Sequence, residues 1–171
     1  MRYFWLILML PFLACHEQNK NKISPAELVK SREIKKVTEA EILQGGTILG
    51  DEIRLLIEKI IETDSTTCKT GKSLKMDSLA TTYNTEIRLM GKTNKNSEEL
   101  ESQLLEAYQY NLENDLVLTH SIQKLDNKTV LYTYPIGRGS KFYIHCMDSL
   151  RRQNAEMWSL KIPIKIIINR L

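Results

Sequence analysis

The side chains able to act as soft ligands or nucleophiles are few: Cys15, Cys68 and Cys146, with His16, His120 and His145. The adjacent pair His145-Cys146 offers two potential metal ligands of borderline or soft character. A zinc centre needs about four ligands, and the spacing of the remaining cysteines and histidines supplies no such set. Read as a strand end, His145 and Cys146 also point to opposite faces and would not share one ion, so a half-buried strand end is the preferred reading. Cys68 is open to three readings: a packed thiol, a disulfide partner or an axial metal ligand. A bond to Cys146 leads among them and requires the two Cα atoms to come within about 7 Å. The long loop it closes would stabilise the fold by roughly 4 kcal/mol in the chain-entropy account. His120, in a predicted strand, reads as a structural or surface histidine.

Enzyme signatures are missing from the sequence. There is no Gly-x-Ser-x-Gly elbow, no His-Glu-x-x-His and no Walker loop, and Gly45-Gly46 does not follow a strand as a phosphate-binding loop would. Glu98, Glu99 and Glu101 fit a helix first turn, where the dipole favours acid, better than an acid–base pair. Asn127-Lys128-Thr129 matches a glycosylation sequon, which behind a bacterial leader reads as accidental. A non-enzyme is expected, with no metal and no confident cofactor. The 24 basic and 21 acidic residues are interspersed and give a net charge of +3. A nucleic-acid partner calls for a stronger basic face than that.

The N-terminus has a different character. Arg2 precedes an apolar run from Tyr3 to Leu13, and Ala14-Cys15 follows. The run is too short to cross about 30 Å of hydrocarbon as a mature helix, and its layout is that of a secretory leader. Phe12-Leu13-Ala14-Cys15 resembles a bacterial lipobox, with Phe12 departing from the usual Leu or Val. Residues 1–14 are therefore expected to be a lipoprotein signal peptide and Cys15 the lipidated residue. Several acyl chains there would anchor the protein stably to a membrane, as one alone would not. Residues 15–33 read as a lipidated, Lys/Asn-rich tether. Residues 34–171 read as one domain held outside the cytoplasm, periplasmic or at the cell surface.

That domain has the composition of an ordinary globular core, with 42% hydrophobic residues. Pro25 to Lys36 is a short entry segment. Thr38-Glu39-Ala40-Glu41 has the form of a capping box. Ile42, Leu49, Ile53, Leu56, Ile57 and Ile60 then recur at helical spacing and predict a long helix over about Thr38 to Thr63. Gly45-Gly46 allows either a kink or a close backbone approach. Asp64 to Lys72 is expected as a polar loop, Leu74 to Tyr83 as a helix, Thr85 to Leu89 as a short strand and Gly91 to Asn96 as a turn. Leu100, Leu104, Tyr108 and Leu112 mark a further helix. The period then changes. Leu116 to Gln123 and Thr129 to Tyr134 predict a hairpin about Asp126-Asn127. Lys141 to His145 and Met157 to Ile162 predict two more strands. Ile164 to Ile168 fits a strand, or a short helix opened by Pro163. Helices followed by an antiparallel sheet make an α+β fold.

Several segments, taken in order, resemble a bacterial c-type haem family whose domain is PAS-like. They are Lys36 to Ile42 followed by Gly50, then Cys68, Tyr83-Asn84, Ile87-Arg88, and Asn96 ahead of Glu101. Tyr134-Pro135-Ile136 and Met157 to Pro163 complete the series. The resemblance covers roughly Ile34 to Leu171 and implies a PAS-like antiparallel sheet with a long N-terminal helix. It departs where members carry Cys-x-x-Cys-His. Here the chain reads Phe142-Tyr143-Ile144-His145-Cys146, with no second cysteine nearby, so a two-thioether attachment is impossible. The resemblance thus implies a divergent relative that has lost covalent haem. Its PAS-like sensory or binding domain would take a small ligand or an envelope protein partner, with Ile144, Trp158 and Tyr134 as pocket or core residues. If Cys146 still lies beside the former attachment strand, it can face Cys68 across a collapsed pocket. The alternative is a residual haem protein, a redox sensor or electron carrier using Cys68, His145 or Cys146.

Overall fold

The computed structural model describes residues 37–64, 66–91, 98–146 and 157–171. The expected signal peptide and tether, with Cys15 and the entry segment, lie outside the described residues. So does nearly all of the predicted turn at 91–96. The chain divides after Lys36, and Val37–Leu171 forms one unit. It is an α+β domain whose described elements run α1 (Glu39–Thr63), α2 (Thr67–Thr70), α3 (Leu74–Thr82), β1 (Glu86–Met90), α4 (Glu99–Glu113), β2 (Ser121–Lys124), β3 (Thr129–Pro135), α5 (Lys141–Cys146), β4 (Met157–Pro163) and α6 (Ile164–Ile168).

The long N-terminal helix begins at the capping box. The Glu41 amide donates to Thr38 Oγ1 at 3.2 Å and the Thr38 amide donates to Glu41 Oε2 at 2.9 Å, satisfying two amides that a helix start leaves open. One stripe of α1, running through Gly46, Leu49, Gly50, Ile53, Ile57 and Ile61, is buried. The glycines let this stripe lie directly on the sheet. A Cβ on Gly46 would stand 2.7 Å from Ile122 Cδ1, and one on Gly50 would stand 2.3 Å from the Tyr132 ring. Close approach is thus what these residues permit.

The sheet is antiparallel in the order β1-β4-β3-β2. The two central strands are buried on both faces, and alternate side chains go to different cores. Val130, Tyr132, Tyr134, Trp158, Leu160 and Ile162 pack against α1 in the main core, together with Phe142 and Cys146 of α5 and Ile164 and Ile167 of α6. Met157 turns the other way and joins Met90, Leu105 and Tyr108 in a second cluster beneath α4. Polar groups complete that second face. Tyr108 Oη lies 2.9 Å from Thr133 Oγ1. Glu101, wholly buried, accepts from Ser159 Oγ at 2.6 Å and from Arg88 Nη2 at 2.9 Å.

Three local expectations change, and one open choice resolves. Lys141–Cys146 is a helix, not a strand. Ser140 caps it, its Oγ accepting from the Tyr143 amide at 3.1 Å and its carbonyl from the Ile144 amide at 3.0 Å. Phe142 and Cys146, four apart, form the buried face, and Ile144 is 63% exposed and belongs to neither pocket nor core. Over six residues, period-two and period-four patterns are hard to separate. The predicted strand at Leu116 is paired only from Ser121, opposite Thr133, and the last two residues of β3, Tyr134 and Pro135, pair with β4 alone. Asp64 to Lys72 contains the single-turn helix α2, closed by Gly71 at φ 70°. Past Pro163 the chain takes the helical option, and Ile164 and Ile167 of α6 are buried.

Candidate functional site

Two places gather chemically able side chains. The first is the contact between α2 and α5, where Cys68 and Cys146 are joined with Cα atoms 4.9 Å apart. The bond spans 78 residues and restricts the unfolded chain by roughly 4–5 kcal/mol in the loop-entropy account. Cys146 is buried, while its neighbour His145 is exposed. The geometric ground for separating these two is therefore helical: adjacent residues diverge by about a third of a turn, and they do not sit on the opposite faces of a strand. Among the described residues no group of three or more His, Cys, Asp or Glu side chains could hold a metal ion.

This arrangement does not fit covalent haem. The two sulfurs near the resemblance's attachment segment are consumed in one bond, so neither offers a thiol to a vinyl group nor a thiolate to iron. The adjoining interior is filled by side chains: Phe142 meets Trp158 edge-on at 5.7 Å, and Trp158, Tyr132 and Leu160 have no exposed surface.

The second place is a polar cleft of about 630 Å³ at one end of the sheet. Asp51, Arg54 and Glu58, spaced i, i+3 and i+7, put three charges on one face of α1. Leu118, Thr119 and His120, leading into β2, form the opposite wall. Tyr134 and Pro135 close β3 beneath them, and Gly137 to Lys141 bring the chain into α5.

A dense network orders this cleft. Tyr132 Oη donates to Asp51 Oδ1 at 2.7 Å, and the His120 ring stacks on Tyr132 with centroids 5.3 Å apart. Arg54 Nη1 donates to Glu58 Oε1 at 2.9 Å, and Arg54 Nε stands 3.5 Å from Asp51 Oδ1. Burial opposes the Arg54 charge, but Glu58, Tyr132 and Asp51 outweigh it and hold the guanidinium above its ordinary value. Lys141 pairs with Glu62, just outside the lining.

One group stands outside the network. Tyr134 is 94% buried by its 6% relative exposure, and its hydroxyl has no hydrogen-bond partner among the described residues. Burial first, and then the nearby Glu58 carboxylate, push its ionisation well above the ordinary tyrosine value. A buried hydroxyl left unmatched costs about 1–3 kcal/mol. A mainly apolar hollow of about 500 Å³ lies between α1 and α3, lined by Leu56, Ile60, Leu79 and Tyr83 among others. Among the described residues, none of the buried unpartnered polar atoms lies in its wall.

The sequence reading named Tyr134 and Trp158 as pocket or core residues, and both are buried. Asp51, Arg54, Glu58 and Lys141 went unremarked. The three on α1 are marked by their i, i+3, i+7 recurrence, which equally describes an ordinary surface ion-pair stripe, and Lys141 carries no such mark. No protein-family model, no curated protein and no solved structure matches the chain. No helix among the described residues is long and apolar enough to cross a membrane.

Proposed function

We propose that the chain is a lipid-anchored protein of the bacterial cell envelope. Its Val37–Leu171 domain is a PAS-like, non-catalytic sensory or binding module that has lost covalent haem. The leader over residues 1–14, followed at once by Cys15 in a lipobox-like ending, supports the anchor. The ordered set of segments from Lys36 to Pro163 supports the PAS-like relationship. The Cys68–Cys146 bond carries the functional reading, because it withdraws from haem chemistry both sulfurs that the alternative, a residual haem protein, would use. The domain then acts by binding a small ligand or an envelope partner, with the polar cleft beside α1 as the place where a ligand enters.

The test is an absorbance spectrum and a mass analysis of the full chain produced with export and haem maturation intact. The expected result is no Soret band, a Cys68–Cys146 cross-linked peptide in a non-reducing digest, and an acyl mass addition on Cys15. A pigment that survives acid–organic extraction on the polypeptide would defeat this reading and favour a haem-bearing redox protein. An unmodified Cys15 behind an intact leader would defeat the anchor.

A further inference from the structure

The cleft carries a charge excess and an unmatched buried hydroxyl, and together these specify a ligand chemistry. Arg54 is shared between two carboxylates, Glu58 at 2.9 Å and Asp51 at 3.5 Å. One cation between two anions leaves one negative charge. Lys141 pairs first with Glu62 and is drawn more weakly by Glu58, so three carboxylates against two cations still leave one negative charge. His120 stands 3.9 Å from Asp51 at the rim of this group. Each carboxylate has lone pairs that one guanidinium cannot fill. Tyr134, nine-tenths buried and part of the cleft lining, holds a hydroxyl with no partner among the described residues. Its oxygen accepts a hydrogen bond as readily as its proton donates one.

From these groups we infer that the cleft binds an organic ammonium ion, whose N–H groups would complete Glu58, Asp51 and the Tyr134 oxygen. This deepens the binding role given above and rests on it. An anion fits poorly, because it would meet two carboxylates and a guanidinium already engaged by them. A neutral alcohol could match Tyr134 but would leave the charge excess uncompensated. Asp51 and Glu58 are two helical turns apart, about 10 Å along α1. Their carboxylates converge on the one Arg54 guanidinium, at 2.9 and 3.5 Å, and so lie closer together than that rise; a short linear diamine can engage both, where a monoamine reaches one.

Calorimetric titration of the full chain with putrescine, cadaverine, n-butylamine, butanol and butyrate tests the assignment. The amines should bind, the diamines more tightly than butylamine, while butanol and butyrate give no saturable heat. Glu58→Gln keeps the shape of the site and should weaken the amines by roughly tenfold, the scale of a hydrogen bond to a charged group. Tyr134→Phe should weaken them several-fold while the protein stays folded, shown by an unchanged or higher melting temperature. Butyrate binding in preference to the amines would overturn the inference. So would the absence of saturable amine binding, or affinity that neither substitution changes. These outcomes are separable from failure of the broader reading, which depends on the absorbance spectrum and on the Cys15 and disulfide peptides.

Discussion

Tyr134 and Gly50 are single residues whose effects on stability run opposite to intuition. Removing a hydroxyl from a buried tyrosine ordinarily breaks a hydrogen bond, but at Tyr134 there is none among the described residues to break. Tyr134→Phe deletes an uncompensated polar atom and keeps the ring, so it should stabilise the unliganded domain by about 1 kcal/mol. Urea unfolding would show this as a higher midpoint with an unchanged slope. A lower midpoint would mean that the hydroxyl has a partner after all. Gly50→Ala adds a single methyl group at a helix-favouring position, worth up to about 1 kcal/mol in propensity. Here that methyl would fall 2.3–2.6 Å from three atoms of the Tyr132 ring. The ring cannot easily swing aside, because its hydroxyl is bonded to Asp51 and its face is stacked on His120. Overpacking of this kind costs about 1–3 kcal/mol, and with so short an approach the upper end applies, for a net loss of about 2 kcal/mol. The same denaturant titration checks it.

Among the elements, α4 shows how a side chain can serve helix and sheet together. Glu98 and Glu101 form its capping box, where the sequence suggested only acidic residues of a helix first turn. What the sequence did not disclose is that Glu101 is wholly buried and holds α4 to the sheet through Arg88 of β1 and Ser159 of β4. Glu101→Ala therefore does more than remove a cap. It leaves a guanidinium without its inner partner, and loss of one member of a buried pair costs about 3–5 kcal/mol. Because the Arg88 side chain keeps a quarter of its exposure, water can relieve part of that, and about 3 kcal/mol is expected. Glu99→Ala, on the same first turn but outside this network, should cost under about 1 kcal/mol. Thermal melts of the two variants separate the roles.

The contrast also marks where the sequence was legible. The helices α1 and α4 and the strands β3 and β4 announce themselves through long, consistent periodicity and caps. Helix α5 does not, because six residues with Tyr143, Ile144 and Phe142 satisfy β propensity while Ser140 and the Phe142/Cys146 spacing satisfy a helix. The cleft is less legible still. Its groups come from α1, the approach to β2, the end of β3 and the start of α5, and only the register of those elements brings them together. No spacing in the chain encodes the charge excess that results.

For the molecule as a whole, covalent and protonic constraints combine. The Cys68–Cys146 bond ties α2 to α5 across most of the domain, so reduction should lower the unfolding free energy by roughly 4–5 kcal/mol. Stability is also bounded by pH on both sides, and the signs follow from which state holds the protons. Tyr108, Tyr132 and Tyr134 are all raised above their ordinary value of 10.0, each chiefly by burial. Above that pH the unfolded chain releases protons that the folded chain still holds, so stability present below it declines as pH rises. Glu52 is lowered from 4.5, first by the Tyr83 hydroxyl that donates to it and then, against the cost of burial, by Arg170. Its contribution is present above 4.5 and is lost as pH falls toward the folded value. The urea midpoint of the oxidised protein should therefore be level between these limits and fall beyond each. Exposed lysines such as Lys141, raised by its bond to Glu62, also contribute to the alkaline limb, so the limb alone does not identify its source. Tyr134→Phe removes one of the three buried phenols and leaves the lysines in place. Its alkaline fall should be shallower than that of the parent protein, and an identical fall would show that burial of this phenol does not set the upper limit.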